Sequence, residues 1–257
     1  MLGAIAGDII GSVHEGAGTK HRDFPLFVAR STFTDDTVLS VAVAEALLHG
    51  GDYVTHFHAY YHRYPDAGFG GNFARWAERR DTAPYYSWGN GSAMRVSPVG
   101  FAAPSLDDAL DEAKRSASVT HNHPEGIRGA QAVAAAIYLA RDGAGKAEIK
   151  RQIESRFGYN LSTRLDALRP GYGFDVSCQG SVPPSIVAFL ESDSVEGAMR
   201  NAISLGGDAD TMACIAGGIA EAFHGGLPDH LHEGATQRLD PPLREIVDAF
   251  RDRFITA

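Results

Sequence analysis

The clearest structural signal in the chain lies at residues 34–51, which read TDDTVLSVAVAEALLHGG. Thr34 belongs to the residue types that cap helix N-termini, and the two acids after it suit the positive end of the helix dipole. Apolar side chains continue from there to Leu48, and Gly50 and Gly51 are typical of a helix stop. The stretch predicts an apolar helix that begins with two carboxylates.

Capping residues and helical spacing recur along the rest of the chain. Ser105 with Asp108 predicts the start of a helix that runs to about Ser118, and apolar residues recur at helical spacing from 127 to 138. Further helices are expected near residues 146–156, 184–191, 194–204, 211–223 and 241–254. Alternating strand patterns are missing from the sequence, which therefore predicts an all-α fold.

Segments rich in Gly, Pro, Asn and Asp separate the predicted helices. They lie around residues 14–33, 64–72, 81–104, 119–125, 158–182 and 205–210. Loops of this length in a compact helical protein often bind ligands, so we expect the chemistry there. In the first predicted helix, Gly3, Gly7 and Gly11 recur every four residues, which indicates close packing against another helix.

Length and composition are those of an ordinary globular protein. The 257 residues, 44% hydrophobic and 21% charged, suffice for a full core, and we expect one domain over residues 1–257. A net charge of −9 disfavours general binding of nucleic acid or anionic lipid. The two cysteines are too few for a disulfide framework or a zinc cluster, and the apolar start, residues 1–10, carries Asp8 and is too short to cross a membrane. We expect a soluble protein of the cytoplasm.

Two segments combine carboxylates with hydroxyls at the start of a predicted helix. They are residues 34–37, TDDT, and residues 206–211, GGDADT. Each could be a helix cap alone, but a cap needs one side-chain oxygen, and together the segments offer four carboxylates. If the two helix starts converge, like charges ~4 Å apart would repel by ~4 kcal/mol per pair at an effective dielectric of about 20, so the cluster would need a cation. All-oxygen ligands favour Mg²⁺ or Mn²⁺ over zinc, and four carboxylates could hold two ions.

With these segments, the sequence resembles the ADP-ribosylglycohydrolase family, also called the ADP-ribosyl-acceptor hydrolases, which includes the dinitrogenase reductase-activating glycohydrolases. Five segments match in family order: residues 7–15, 33–37, 89–95, 120–121 and 206–211. The resemblance implies a compact multi-helix orthogonal bundle with two Mg²⁺ or Mn²⁺ ions between helix ends. By matching positions, it implies these metal ligands: Thr34, Asp35, Asp36, Asp208, Asp210 and Thr211.

The resemblance also implies catalytic residues. Glu15 aligns with an acidic residue that serine-type members place beside the metals. It would act as general base or electrostatic partner for the water that attacks the anomeric carbon, and Asp35 and Asp36 would share the catalytic site. A carboxylate and metal-held ribose hydroxyls can both stabilise an oxocarbenium-like state.

A substrate-binding set follows from the resemblance as well. The residues that match the family's pyrophosphate and ribose loop are Gly89, Asn90, Gly91 and Ser92, and their glycines would expose N–H groups to anionic oxygens, although Asn-Gly alone is a common turn. His121 matches a histidine of the ligand cleft, whereas His123 is left out of the site. Tyr86 and Trp88 either stack on the ligand or fill the core. In residues 174–183, only the Ser-Val-Pro end matches.

The resemblance therefore implies a metal-dependent hydrolase that removes ADP-ribose from a modified acceptor by cleaving the bond at ribose C1″. The acceptor would be a protein arginine or serine, or the ester O-acetyl-ADP-ribose. Two alternatives stay open: a two-metal phosphohydrolase of a nucleotide sugar, and a catalytically silent ADP-ribose-binding or structural member. The intact carboxylates at both segments, together with Glu15, argue for activity.

Overall fold

The computed structural model describes residues 1–255, and its regular secondary structure is helical. In chain order the helices are α1 (Leu2–Gly11), α2 (Asp35–His49), α3 (Tyr53–Arg63), α4 (Gly71–Glu78), α5 (Gly91–Met94), α6 (Ser97–Ala102), α7 (Leu106–Ser118), α8 (Pro124–Arg141), α9 (Lys146–Phe157), α10 (Leu165–Leu168), α11 (Cys178–Leu190), α12 (Val195–Ile203), α13 (Ala209–His224), α14 (Asp229–Thr236) and α15 (Pro241–Phe254). Within residues 1–255, strand pairing is limited to one isolated antiparallel bridge between Gly89 and Ser177. The all-α prediction is confirmed.

Helices α1 and α13 form the closely packed centre of the fold. Every residue of α13 from Ala209 to Ala222 is buried, and α8, α11 and α12 pack around it. The glycine stripe of α1 faces α13: a Cβ on Gly3 would lie 2.4 Å from the Gly217 carbonyl oxygen, and one on Gly7 would lie 2.1 Å from that of Ala213. Only glycine permits this approach, so the predicted close packing of the first helix is confirmed.

The predicted helix after Thr34 is present with the expected ends. The Thr34 hydroxyl accepts a hydrogen bond from the Asp36 N–H, and Gly50 ends α2 in the left-handed conformation with φ 70°. Helix α7 begins in the same way, because the Ser105 hydroxyl accepts from the Asp108 N–H. These caps fix where each helix starts and therefore which residues its first turn presents.

Helix α11 begins at Cys178, earlier than the predicted segment 184–191, and contains two prolines. Ser177 caps the helix by accepting from the Gly180 N–H, and the helix then continues through Pro183 and Pro184. Proline lacks the N–H that a helix interior uses. The Gly180 carbonyl, which would have accepted from residue 184, instead accepts from the Tyr172 hydroxyl at 2.8 Å. A side chain thus replaces one of the two lost backbone bonds.

Three helices lie outside the predicted set, and the predicted loops contain further short ones. Helices α3, α4 and α14 were not predicted, α5 and α6 lie inside the predicted loop 81–104, and α10 lies inside 158–182. Helix α3 carries an N-cap at Asp52 and buries Tyr53, Phe57 and Tyr60 at helical spacing. The capping residue and the helical spacing of apolar residues were present in the sequence, but the many aromatic and histidine residues made the pattern hard to recognise. No helix within residues 1–255 is long and apolar enough to cross a membrane.

Candidate metal and catalytic site

The starts of α2 and α13 meet beside the last turns of α1. Carboxylate oxygens of Asp8, Asp36 and Asp210 lie within 4.8 Å of one another, and those of Glu15, Asp208 and Asp210 form a second group with the same spacing. The two groups share Asp210. The structure therefore brings together the acidic segments around residues 35 and 208, whose convergence the sequence alone could only assume.

Asp8, which lies outside the predicted ligand set, joins this cluster from the buried helix α1. Its carboxylate accepts hydrogen bonds from the Thr34 N–H at 2.9 Å, the Thr34 hydroxyl at 2.7 Å, the Thr37 N–H at 3.1 Å and the Thr37 hydroxyl. Four donors from one helix start hold α2 against α1. A single acid in an otherwise apolar helix was the available signal.

Crowding changes the protonation of the acids. Burial raises the pKa of Asp36 and of Asp210 well above the usual range, and the nearest carboxylate raises each further. Burial followed by the charges of Asp8 and Asp208 raises the pKa of Asp35 to about 8. These carboxylates cannot all ionise together near neutral pH unless a cation offsets their charge.

The donor set fits a divalent cation. Asp36 Oδ1 is buried with no hydrogen-bond partner, and the Thr211 hydroxyl lies 3.4 Å from Asp36 Oδ2. An unpartnered buried carboxylate oxygen is costly, and a metal ion would satisfy it. Carboxylate and hydroxyl oxygens are the ligands that hard cations such as Mg²⁺ prefer. The cluster could therefore bind metal.

Glu15 lies on the chain just after α1, at the mouth of the pocket. Partial burial raises its pKa, and the charges of Asp208 and then Asp8 raise it further. Unlike the buried aspartates, its side chain is exposed to the pocket. A carboxylate with a raised pKa is a stronger proton acceptor than an ordinary glutamate.

The loop of residues 89–92 contacts the acid cluster through the side chain of Asn90. The Asn90 side-chain amide donates to Asp208 Oδ2 at 2.7 Å and to the Ser181 hydroxyl at 3.1 Å. Its backbone N–H donates to the Val176 carbonyl, and the Gly89 N–H donates to the Ser87 hydroxyl. These two N–H groups are thus already used within the protein. Of the two glycine N–H groups expected to face a ligand, that of Gly89 is therefore occupied, and the substrate-binding role of residues 89–92 stays a prediction.

Three of the four predicted loop residues line the pocket, and the fourth lies behind it. Gly89, Asn90 and Gly91 border the cavity, whereas Ser92 is fully buried and donates its hydroxyl to the Gly126 carbonyl at 2.7 Å. Ser92 therefore anchors the loop to α8. His121 also lines the pocket, and its Nδ1 lies 2.8 Å from the Thr120 hydroxyl.

The pocket that contains these groups has a volume of about 330 Å³. The residues that line it also include three glycines just before or at the start of α4 and two apolar residues before α11: Gly68, Gly70, Gly71, Phe174 and Val176. A Cβ on Gly70 or Gly71 would meet no atom within 4 Å, so their backbone faces open space. Tyr86 and Trp88 are more than half exposed and contact His123, so they do not fill the core.

Comparison with known proteins gives one consistent result. The family model described as ADP-ribosylglycohydrolase matches residues 1–256. ADP-ribosylhydrolase ARH3 of Xenopus tropicalis is 26% identical, with 88% of this chain and 86% of that protein aligned. ADP-ribosylarginine hydrolase Tri1 of Pseudomonas putida (strain GB-1) is 27% identical over 96% of this chain and 76% of that protein. A solved structure described as an ADP-ribosylglycohydrolase-related protein complex superposes with a TM-score of 0.70 at 25% identity, covering 98% and 96% of the two chains.

Proposed function

The chain belongs to the ADP-ribosylglycohydrolase family and is a hydrolase of that kind, and we propose that it uses divalent metal to cleave the bond between ribose C1″ and an acceptor. One observation carries the proposal: buried carboxylates at the starts of α2 and α13, Asp36 with Asp208 and Asp210, converge on a pocket beside Glu15. A structural core would not gather these charges, because each costs free energy when it is buried without a counter-ion.

We assign the metal ligands to Thr34, Asp35, Asp36, Asp208, Asp210 and Thr211, and add Asp8 as the residue that fixes Thr34. Mg²⁺ or Mn²⁺ is the proposed metal, since the donors are all oxygens. We propose a pair of ions, because the acids form two groups that share Asp210. Metal bound there would supply positive charge that holds and orients the ribose hydroxyls. The Asn90 amide holds Asp208 in place.

Glu15 is the proposed base. It accepts a proton from the water whose oxygen attacks C1″, while the bond from C1″ to the acceptor breaks and the acceptor leaves with that electron pair. The proton that Glu15 took from the water is then passed to the acceptor, which restores the Glu15 carboxylate, and free ADP-ribose is the second product. Burial and the neighbouring carboxylates raise the pKa of Glu15, which makes it a stronger proton acceptor than an ordinary glutamate.

The pocket suggests where the rest of the substrate binds. The open backbone of Gly70 and Gly71 at the start of α4 suits the pyrophosphate, since the first N–H groups of a helix lack intrahelical acceptors. A protein-linked ADP-ribose, on arginine or serine, or an O-acetyl ester of ADP-ribose would place its acceptor toward the pocket mouth. We further propose one domain over residues 1–257 and a cytoplasmic location, without membrane or general nucleic-acid binding.

The experiment is a panel of acceptors. ADP-ribosylated arginine, ADP-ribosylated serine and O-acetyl-ADP-ribose are incubated with protein and Mg²⁺ or Mn²⁺, and free ADP-ribose is measured by chromatography. Release of ADP-ribose that stops on chelation supports the proposal. Cleavage of the pyrophosphate would favour a phosphohydrolase instead, and tight ADP-ribose binding without release from any acceptor would favour a silent member.

Two variants separate the proposed roles. Glu15→Gln should keep metal and ADP-ribose binding and lose turnover by roughly 10²–10⁴-fold, because it removes a positioned base. Asp210→Ala should weaken metal and ADP-ribose binding together, since Asp210 is shared by both carboxylate groups. Glu245→Gln, an exposed glutamate on α15, is the matched control. Near-normal turnover in Glu15→Gln would remove Glu15 from the mechanism.

A further inference from the structure

We propose that Arg95 and Thr120 are positioning residues that fix the proton of His121 on Nε2, so that this histidine meets the substrate as an uncharged hydrogen-bond donor. The inference rests on the proposed function, because it concerns how the same pocket holds ADP-ribose. Arg95 is a fully buried arginine in the turn after α5.

Arg95 is held by several contacts. Its Nη2 donates to the Ser116 carbonyl and to the Thr120 hydroxyl, both at 2.9 Å, and its guanidinium lies over the Phe57 ring at 4.3 Å. Burial lowers the pKa of Arg95 to about 10, which still leaves it charged at neutral pH. No ion pair with a carboxylate forms at Arg95 among residues 1–255. A buried charge without a carboxylate partner is expensive, so its position calls for an explanation.

The Thr120 hydroxyl lies between Arg95 and His121 and contacts both. Thr120 Oγ1 accepts from Arg95 and lies 2.8 Å from His121 Nδ1. A hydroxyl has one proton, and the cation attracts its oxygen and repels that proton toward Nδ1. The same cation disfavours a ring proton on Nδ1, so Nδ1 keeps its lone pair and faces the hydroxyl proton. Nδ1 therefore accepts, and in a neutral imidazole the remaining proton is then on Nε2.

The ring is also kept uncharged. Burial lowers the pKa of His121 well below its usual range, and the Arg95 charge lowers it further. The other ring in contact is that of Tyr85, at 5.9 Å between centroids, and no carboxylate bonds to the imidazole among the described residues. Nothing around His121 thus favours the imidazolium form.

Nε2 is the atom available to a ligand. It makes no hydrogen bond within residues 1–255, yet it is not among the sealed, unpartnered atoms of the interior. A Cβ on Gly89 or Gly91 would lie 3.5 Å or 3.2 Å from it, so both glycines leave space at this face of the pocket. A nitrogen that carries a proton donates and cannot accept one. His121 therefore binds a phosphate or ribose oxygen of ADP-ribose and is not the base.

Nitrogen NMR of the imidazole tests the tautomer directly. Protein labelled with ¹⁵N-histidine is recorded with Mg²⁺, and the His121 signals are assigned by their loss in His121→Asn. The expected spectrum has a protonated Nε2 and an unprotonated Nδ1. Protonation of Nδ1 in the wild-type protein would overturn the inference. The spectrum needs no substrate, so it decides the question even if no acceptor in the panel is hydrolysed.

Thr120→Val and Thr120→Ser form the matched pair, because only the second keeps the hydroxyl. We expect Thr120→Val to populate both tautomers in similar amounts and to weaken ADP-ribose binding by about twofold in calorimetry, because only the Nε2–H form donates to the ligand. Thr120→Ser should restore the single tautomer and most of the affinity. Thermal melting checks that both variants fold. A folded Thr120→Val with the wild-type tautomer and affinity would contradict the role of Thr120, and loss of affinity without a change of tautomer would contradict the mechanism.

Discussion

Replacing Gly11 with alanine should damage both the fold and the metal site, because Gly11 contacts the backbone of a proposed ligand. A Cβ at this position would lie 2.4 Å from Asp210 Cα and 2.6 Å from Asp210 N. Ordinary van der Waals contact begins near 3.4 Å, so α1 and α13 would have to separate by about 1 Å. Backbone atoms cannot rotate away as a flexible side chain does.

The cost should lie near the upper end of that for an overpacked core, about 3 kcal/mol. In a chain of this size each kcal/mol lowers the melting temperature by about 2–4 °C, so the expected fall is about 6–12 °C. A shift of about 1 Å at Asp210 also exceeds the tolerance of roughly 0.2 Å in metal–ligand distances. Metal affinity should therefore fall by tenfold or more.

Thermal melting and metal titration by calorimetry test this with two controls. Gly3→Ala creates an equal overlap, 2.4 Å from the Gly217 oxygen, but about 12 Å away along α1 at 1.5 Å per residue. It should lower stability as much and leave metal affinity nearly unchanged in the folded protein. Gly171→Ala meets no atom within 4 Å and should resemble the wild type. A Gly11→Ala protein with wild-type melting, or equal losses of metal affinity in Gly3→Ala and Gly11→Ala, would refute the reasoning.

Three further predictions concern the acid cluster. Titrating Mg²⁺ or Mn²⁺ into metal-free protein should raise its melting temperature, by the equivalent of about 2.7 kcal/mol at a hundred times Kd, and an unchanged curve would exclude a site. In metal-free protein the folded-state pKa values of Asp35, Asp36 and Asp210 exceed those of the unfolded chain. The stability that these acids contribute is therefore greatest at low pH and is lost as pH rises, through about 8 for Asp35. Melting temperatures measured from pH 5 to 9 should fall as pH rises, and excess Mg²⁺ should flatten the slope. Asp8→Asn offers one acceptor oxygen to four donors from Thr34 and Thr37, and should cost about 2–4 kcal/mol in urea unfolding with weaker metal binding, whereas wild-type values would deny Asp8 its bracing role.

Local features of the fold were predictable because their causes are local. Thr34 and Ser105 cap helices by bonding N–H groups two or three residues away, and Gly50 ends α2 with a backbone conformation that glycine adopts freely. The apolar patterns after residues 34 and 208 likewise depend only on neighbours in sequence. Both acidic segments could therefore be located before any tertiary structure was known.

The rest depends on contacts between distant segments. Asp8 bonds to residues 26 and 29 positions away, and Asn90 reaches Asp208 across 118 positions, so neither partner can be found from sequence spacing. The continuation of α11 through Pro184 depends on the Tyr172 hydroxyl, which comes from a separate loop. Sequence patterns reveal which groups a segment offers, but not which groups the folded chain brings to it.

The bridge between Gly89 and Ser177 divides the pocket wall into a fixed part and an exchangeable part. The two rim loops are joined by backbone bonds, from the Asn90 N–H to the Val176 carbonyl and from the Cys178 N–H to the Trp88 carbonyl, which do not depend on side-chain identity. The large apolar side chains that these loops expose are Tyr86, Trp88, Phe174 and Val176. A library restricted to those four positions would change the exposed apolar surface of the two loops while the backbone bonds between them and the carboxylates stay in place. The side chains of the loops and the proposed metal ligands can thus be varied independently of one another.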